Sequence, residues 1–310
     1  MAGQLPIVYT EGTKYQQAVE VANRMIPAYA PVAQLLAQQA GQPGDTSIKL
    51  WHDQIIAKLD NYPGSGGFTA RTIGEGPSVE VDPDAKANTV VLQYGDVYRD
   101  PSLVSRVAAQ LGNAAQRAVD DAVFTALAAA FSTTYSDGTG TPYLINANGG
   151  TLHTLKDGVT TQDNNVYAAL SETSLDAARQ KLLKWKNWAD GTAVEYGRGT
   201  KILVVPPELG ALARKLTGSP NLPFSSSGLV GMAMNDLAMQ SWLVLETTQL
   251  TNTTRWFVID AEYTPVRWAQ FIPPRITVRD GDNLTTILEV ACQVGAGIVG
   301  PPDGLVGSSA

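Results

Sequence analysis

Apolar positions change their spacing several times along this chain, and each change predicts an element. Over 15–39 apolar residues such as Val19, Met25, Ala33 and Leu36 recur at helical spacing, but Pro27 and Pro31 interrupt the run. Proline removes a backbone donor and clashes with the preceding turn, so this stretch predicts a kinked or broken helix within an N-terminal arm, 1–45. Gly41-Gln-Pro-Gly44 is a turn. Ile48, Leu50, Trp51, Ile55, Ile56 and Leu59 fit a short helix or strand, followed by the turn-rich 61–67. Strand character returns at 68–73, 78–81 and 89–94, broken by Gly74-Glu-Gly-Pro77 and by the polar 83–88. The pattern predicts a two-stranded excursion over 66–97 with polar tips, inside a loop region spanning 46–99. An isolated ribbon is marginal in water, so it must lie on another surface.

Asp100 followed by Pro101 predicts a helix start, with Asp as cap and Pro in the first turn. From there to 131 there is no further proline, and Leu103, Val107, Leu111, Ala115, Ala118 and Ala122 fall on one helical face. At 1.5 Å per residue this helix is about 45 Å long. Ten alanines between Ala108 and Ala130 make it slim enough to lie flat under a sheet. Residues 133–165 are rich in Gly, Thr, Asn and Asp and predict a long loop with small strands. Ser171 or Thr173 caps a helix running through 176–185. A strand at 201–205 ends at Pro206-Pro207, a helix follows over 208–216, and 218–235 is a Ser/Gly-rich loop. Strands are predicted at 242–246, 256–260 and 266–271. A hairpin joins 275–279 to 285–290 through Asp280-Gly281. The tail after Gly295 is Gly/Pro-rich and extended. The fold class is α+β: an arm, a ribbon, one very long helix and two sheet-containing lobes. The predicted units are 1–45, 46–99, 100–165, 166–265 and 266–310.

Composition narrows the function. Charged residues are 16% against an ordinary ~25%, which fits a surface largely covered by other subunits or a Ser/Thr/Asn-rich secreted protein. Net charge is −7, which argues against tight electrostatic capture of nucleic acid. The segment 1–45 carries Lys14 and Arg24 against Glu11, Glu20 and Asp45, so it is no basic arm. The start has no signal-peptide pattern, and no run reaches the ~18 apolar residues of a membrane span.

Candidate chemistry is sparse. Cys292 is the only cysteine, which excludes an internal disulfide, and it reads as an inert core residue. The two histidines, His52 and His153, follow no nucleophile motif. Gly64-Ser-Gly-Gly67 lacks the Lys-Ser/Thr of a phosphate loop. Asp280-Gly-Asp282 lacks the remaining ligands of a calcium loop. Glu80, Asp82 and Asp84 read as a solvated acidic loop. No catalytic residue, metal ligand or cofactor is assigned. The one basic patch, Arg179, Lys181, Lys184 and Lys186 with Trp185 and Trp188, fits equally an interface or simple complementation of a helix dipole.

The serial order of several motifs resembles the tailed-phage major capsid proteins of the HK97 fold, closest to the Mu-type major head subunit family. They are Gly76-Pro-Ser-Val-Glu-Val-Asp-Pro83, then Val90-Val-Leu-Gln-Tyr-Gly95 and the long helix; Leu170-Ser-Glu-Thr-Ser-Leu175; Ile202-Leu-Val-Val-Pro-Pro-Glu-Leu209; and Trp256-Phe-Val-Ile-Asp260 through Phe271. The resemblance covers about 66–290. It implies an extended loop contacting a neighbouring subunit through Tyr62, Phe68, Arg71, Glu75 and Glu80. It implies a spine helix bearing Arg106 and Arg117, within a peripheral domain, and an axial domain over 166–265 with interface residues Arg179, Lys184 and Lys186. It further implies hexamers and pentamers, a separate scaffolding protein, a portal, a decoration protein, packaged double-stranded DNA held weakly, assembly in the host cytoplasm, and no membrane. The covalent Lys–Asn crosslink of the prototype has no counterpart in these motifs. Two other readings remain: an encapsulin-like nanocompartment shell, and an acidic glycoside hydrolase with a facing carboxylate pair.

Overall fold

The computed structural model describes residues 35–51, 77–100, 102–131, 135–136, 142–143, 152–154, 161–188, 191–218, 237, 240–281, 285–300 and 303–308. Its centre is one long helix, Leu103–Ala128 (α2), preceded by a short helix, Tyr94–Arg99 (α1). Asp100 does start the spine, but from outside it. Its Oδ1 accepts from Ser102 N at 3.0 Å, and its Oδ2 accepts from Arg106 Nη2 at 2.5 Å, while Ser102 occupies the cap position. At the other end Arg255 donates Nη1 to Ala128 O at 2.9 Å, placing a cation at the negative end of the helix dipole. Val104, Ala108, Leu111, Ala115, Val119, Val123 and Leu127 are buried, and the same core holds side chains from two sheets. The alanine-rich surface lets the spine sit between them.

The first sheet has the order β1-β12-β13-β4. Its central hairpin is Val266–Gly281 (β12) and Thr285–Ile298 (β13). The two strands predicted at 266–271 and 275–279 are one strand. Register shifts after Gln270 and Ile272 absorb Pro273 and Pro274, which cannot donate to the ladder. Asp84–Gln93 (β4) pairs with β13 from Gln93↔Thr285 to Asp84↔Val294. That corrects the ribbon predicted over 66–97: β4 belongs to this sheet, and Tyr94 already begins α1. Ser78–Val81 (β3) instead pairs with Ile48–Trp51 (β2), so these two form a stem flanking 52–76. β13 runs on to Ile298, into the stretch expected to be an extended tail, and the stem crosses it at two glycines. A Cβ on Gly295 would lie 2.7 Å from Asp82 O, and one on Gly297 2.5 Å from Val81 Cγ2. Gln38–Gln39 (β1) runs parallel to Arg267–Trp268 of β12, so the helical pattern over 15–39 ends in a strand. Small strands at Tyr135–Ser136 (β5) and Pro142–Tyr143 (β6) extend the stem sheet, and Leu152–Thr154 (β7) pairs with Thr161–Asp163 (β8).

The second sheet has the order β10-β9-β11-β14. Lys201–Val205 (β9) and Trp256–Asp260 (β11) are buried throughout. Their side chains alternate: Ile202, Val204, Phe257 and Ile259 face the spine's core, while Leu203, Val205, Trp256 and Val258 face Glu172–Leu183 (α3) and Pro207–Gly218 (α4). α3 begins at Ser171, whose side chain accepts from Ser174 N, while Ser174 Oγ accepts from Ser171 N at 2.8 Å. Trp242–Glu246 (β10) is parallel to β9. The other edge is Leu305–Ser308 (β14), antiparallel to β11. The segment read as an extended tail therefore completes the lobe predicted to end at 265.

Candidate assembly surfaces

Among the expected ribbon contacts, Tyr62, Phe68, Arg71 and Glu75 lie outside the described residues. Glu80 is exposed on β3, opposite Lys49, and accepts from Ser47 Oγ at 2.8 Å. On the spine, Arg106 is spent on Asp100 at 2.5 Å, whereas Arg117 is exposed and forms no ion pair among the described residues. Hydrogen bonding from Ser102, then the nearby Arg106, hold the Asp100 carboxyl below its usual pKa.

The basic patch divides in two. Arg179 Nε and Nη2 both reach Asp176 Oδ1, at 2.9 and 2.8 Å. Partial burial opposes ionisation of Asp176, but the bonds from Arg179 and Gln180 outweigh it and keep the carboxyl below its usual pKa. Lys181 Nζ donates to Asp163 Oδ2 at 2.9 Å and Asn165 O at 2.7 Å, tying α3 to the segment that bridges β14 through Asn165 and Gly307. Lys184 and Lys186 face outward, with the Lys186 backbone held by the Gln162 side chain at 2.9 and 3.0 Å. Trp185 and Trp188 are buried, so neither is a contact residue.

Two features were invisible in the sequence. One edge of the first sheet is β4 and one edge of the second is β10, neither with a further strand partner among the described residues, and each displays an exposed apolar side chain: Val91 at 53% and Leu243 at 45%. Unpaired strand edges of this kind are pairing templates. No local signal marks an edge, because edge status depends on sheet order. The second feature is a buried polar cluster. Asp303 accepts from Trp185 Nε1 at 2.5 Å and Tyr196 OH at 2.9 Å. Burial, then the charge of Asp303, push the ionisation of Tyr196 far upward. Asp260 accepts from Gly197 N at 2.5 Å and Glu262 N at 2.9 Å. Lys201 Nζ donates to Gly197 O and Gly199 O at 2.8 and 3.1 Å, and burial lowers its pKa. These groups satisfy one another and fasten the loops at the end of the second sheet. Cys292 is buried, and burial raises its thiol pKa. Among the described residues no group of three or more His, Cys, Asp or Glu side chains is arranged to hold a metal. No described helix is long and apolar enough to cross a membrane.

A slim spine between a hairpin-based sheet and a helix-covered α/β sheet, with a stem crossing the first, is the HK97-like capsid fold. The mature capsid protein of bacteriophage PhiM1 is similar at 12% identity and a TM-score of 0.54, over 90% of this chain and 87% of that one. The capsid protein of cyanophage P-SCSP1u is similar at 14% identity and 0.52, over 90% and 88%. A virus-like particle from Pyrococcus furiosus aligns at 9% identity and 0.49, over 96% and 98%. No curated protein matches the chain. A family model described as phage capsid protein matches residues 91–306. The chain belongs to the phage capsid protein family, whose members are structural proteins of the virion capsid.

Proposed function

We propose that this chain is the major head subunit of a tailed phage, building an icosahedral shell of hexamers and pentamers around double-stranded DNA. The observation that carries this reading is the pair of open sheet edges, β4 and β10, on a chain of the phage capsid family. A shell needs heterologous contacts that close on themselves, and an edge on each lobe supplies two of them. The first sheet and spine form the peripheral domain. The second sheet, including β14, forms the axial domain around the five-fold and quasi-six-fold axes. The loop carried by the β2–β3 stem reaches a neighbouring subunit through Tyr62, Phe68, Arg71, Glu75 and Glu80. Arg117 serves the spine's contacts, and Lys184 and Lys186 those of the axial domain. The serial order of the motifs supports the Mu-type head subunits as the nearest subgroup.

Assembly takes place in the host cytoplasm with a separate scaffolding protein and a portal. With 22 basic against 29 acidic residues, contact with the packaged DNA is weak and not sequence-specific. A tight binder would lose affinity with a log–log salt slope of about −0.9 per neutralised phosphate. Negative-stain microscopy of the purified chain, co-expressed with the scaffolding protein of its own phage, tests the proposal. Closed polyhedral particles are expected. A compact monomer under all salt conditions, or particles filled with enzyme cargo instead of DNA, would overturn it.

A further inference from the structure

The spine α2 buries most of its surface, but one narrow face stays bare. Asn113, Arg117, Asp121 and Thr125 are all exposed, and they form a single row at i, i+4 spacing. The row beside it, Ala114, Ala118, Ala122 and Ala126, carries only methyl groups. A raised row flanked by so shallow a groove is a surface on which another helix packs, ridge into groove.

Two features say which helix fits. The first is the order of charges along the row. Arg117 is exposed and forms no ion pair among the described residues, and Asp121 lies one turn further on. Turned end for end about a point near residue 119, the row matches itself: Arg117 meets Asp121, and Asn113 meets Thr125. The second feature is a notch into which the alanine row opens. A cavity of about 320 Å³ lies between Ala122 and Ala126 of α2, the turn from β3 to β4 and the 294–298 end of β13. Glu80, Asp82, Asp84 and Asp121 line it, and its one cation, Lys86, is paired with Asp84 at 2.6 Å. Arg117 does not line the notch of its own subunit. An arginine arriving from outside finds methyl groups for its stem and carboxylates for its head.

We infer that the bare spine faces of two copies of this chain pack against each other across a two-fold axis, with Arg117 of each copy seated beside Asp121 of the other, at the mouth of the acidic notch. An isologous contact requires self-complementarity of this kind: where i touches j, j touches i. Two i, i+4 rows interdigitate with their axes crossing at about 50°, so contact is confined to 113–125 and the helix ends diverge. The inference rests on the reading of this chain as a self-assembling subunit, in which Arg117 serves the spine's contacts. It names a second copy as the occupant, and it adds to the heterologous contacts of the sheet edges one that closes on a single neighbour.

The test is crosslinking in the full-length chain. Asn113→Cys and Thr125→Cys are introduced together; both positions are exposed, and Cys292 is buried and does not compete. Twelve residues of helix hold the two cysteines about 18 Å apart, too far for a short bismaleimide to bridge within one subunit. The reagent is applied to soluble subunits and to any particles from the same preparation. The doubly substituted chain should run as a covalent dimer and stop there, because a two-fold contact closes on itself, while each single substitution should stay monomeric. Arg117→Glu in the doubly substituted chain should lower the dimer about fivefold, the loss of two surface ion pairs. Adding Asp121→Arg, which exchanges the charges, should restore it. A dimer without particles would leave the spine contact standing and fail the shell; particles without a dimer would overturn the contact and leave the shell. A ladder of trimers and larger species would also overturn it, since the contact would then be heterologous. So would a dimer indifferent to Arg117→Glu, or one not recovered by the exchange.

Discussion

Asp303→Ala should be among the most damaging single substitutions in this chain, although Asp303 touches no proposed partner. The carboxylate takes the Trp185 indole N–H at 2.5 Å and the Tyr196 hydroxyl at 2.9 Å. Both donors belong to side chains no more than 1% exposed, so they lose their acceptor outright unless water enters from the groove that Tyr196 and Asp303 line. Leaving a buried donor unsatisfied costs about 1–3 kcal/mol, so two such donors cost about 2–6 kcal/mol. That is a large share of a typical domain stability of about 5–15 kcal/mol. The damage should be local first, because Asp303 anchors the approach to β14, whose four residues are all buried. Denaturant unfolding should show the loss, and amide exchange should show β14 deprotected ahead of β9. Asp303→Asn should be much milder, since its carbonyl accepts from one donor and its amide can donate to the tyrosine oxygen. In a Tyr196→Phe background, which has already lost one donor, Asp303→Ala should cost about half as much. A loss below about 1 kcal/mol with β14 still protected would refute the reasoning, because it would mean the two donors were never dependent on Asp303.

Other outcomes follow from the spine, the buried lysine and the outer cations. Ala118→Pro, midway along α2 and buried, should cost about 3 kcal/mol or more and abolish particles seen by microscopy. Lys201 has its pKa lowered by burial from 10.5, so in the alkaline window below that value the unfolded chain holds the extra proton. Stability should therefore rise with pH across that window in the native protein, relative to Lys201→Met, in paired denaturant titrations. Reversing Lys184 and Lys186 to Glu should leave the circular dichroism of the subunit unchanged and lower the yield of sedimenting particles; an unchanged yield would remove both from the interface.

The spine was legible because a regular 3.6-residue apolar period over an alanine-rich run specifies a helix without help from its surroundings. The cap at Ser171 and the strand Lys201–Val205 were legible for the same reason: the signal is local. What was misread is non-local. β4 has strand character in the sequence, but its partner β13 lies about two hundred residues away, and proximity favoured β3 instead. Gly295 and Gly297 gave no sign of a crossing in the sequence, because the side chain of Val81 that needs their missing Cβ atoms comes from elsewhere in the chain. The basic patch was correct as a cluster of charges, but Asp176 and Asp163 claim half of it within the subunit. In place of the ribbon expected over 66–97, β3 pairs with β2, and four of the five expected contact residues fall outside the described residues.

The position of β14 sets the timing of synthesis. β11 leaves the ribosome more than forty residues before the strand that covers its outer edge, and Leu305 is buried in the core that surrounds the spine. Until residues 305–308 emerge, the second lobe has an open side and the central core lacks a side chain. A nascent chain on a polysome therefore cannot present a finished lobe to its neighbours, however crowded they are. Emergence of β14 thus sets the earliest moment at which a subunit is ready to join others.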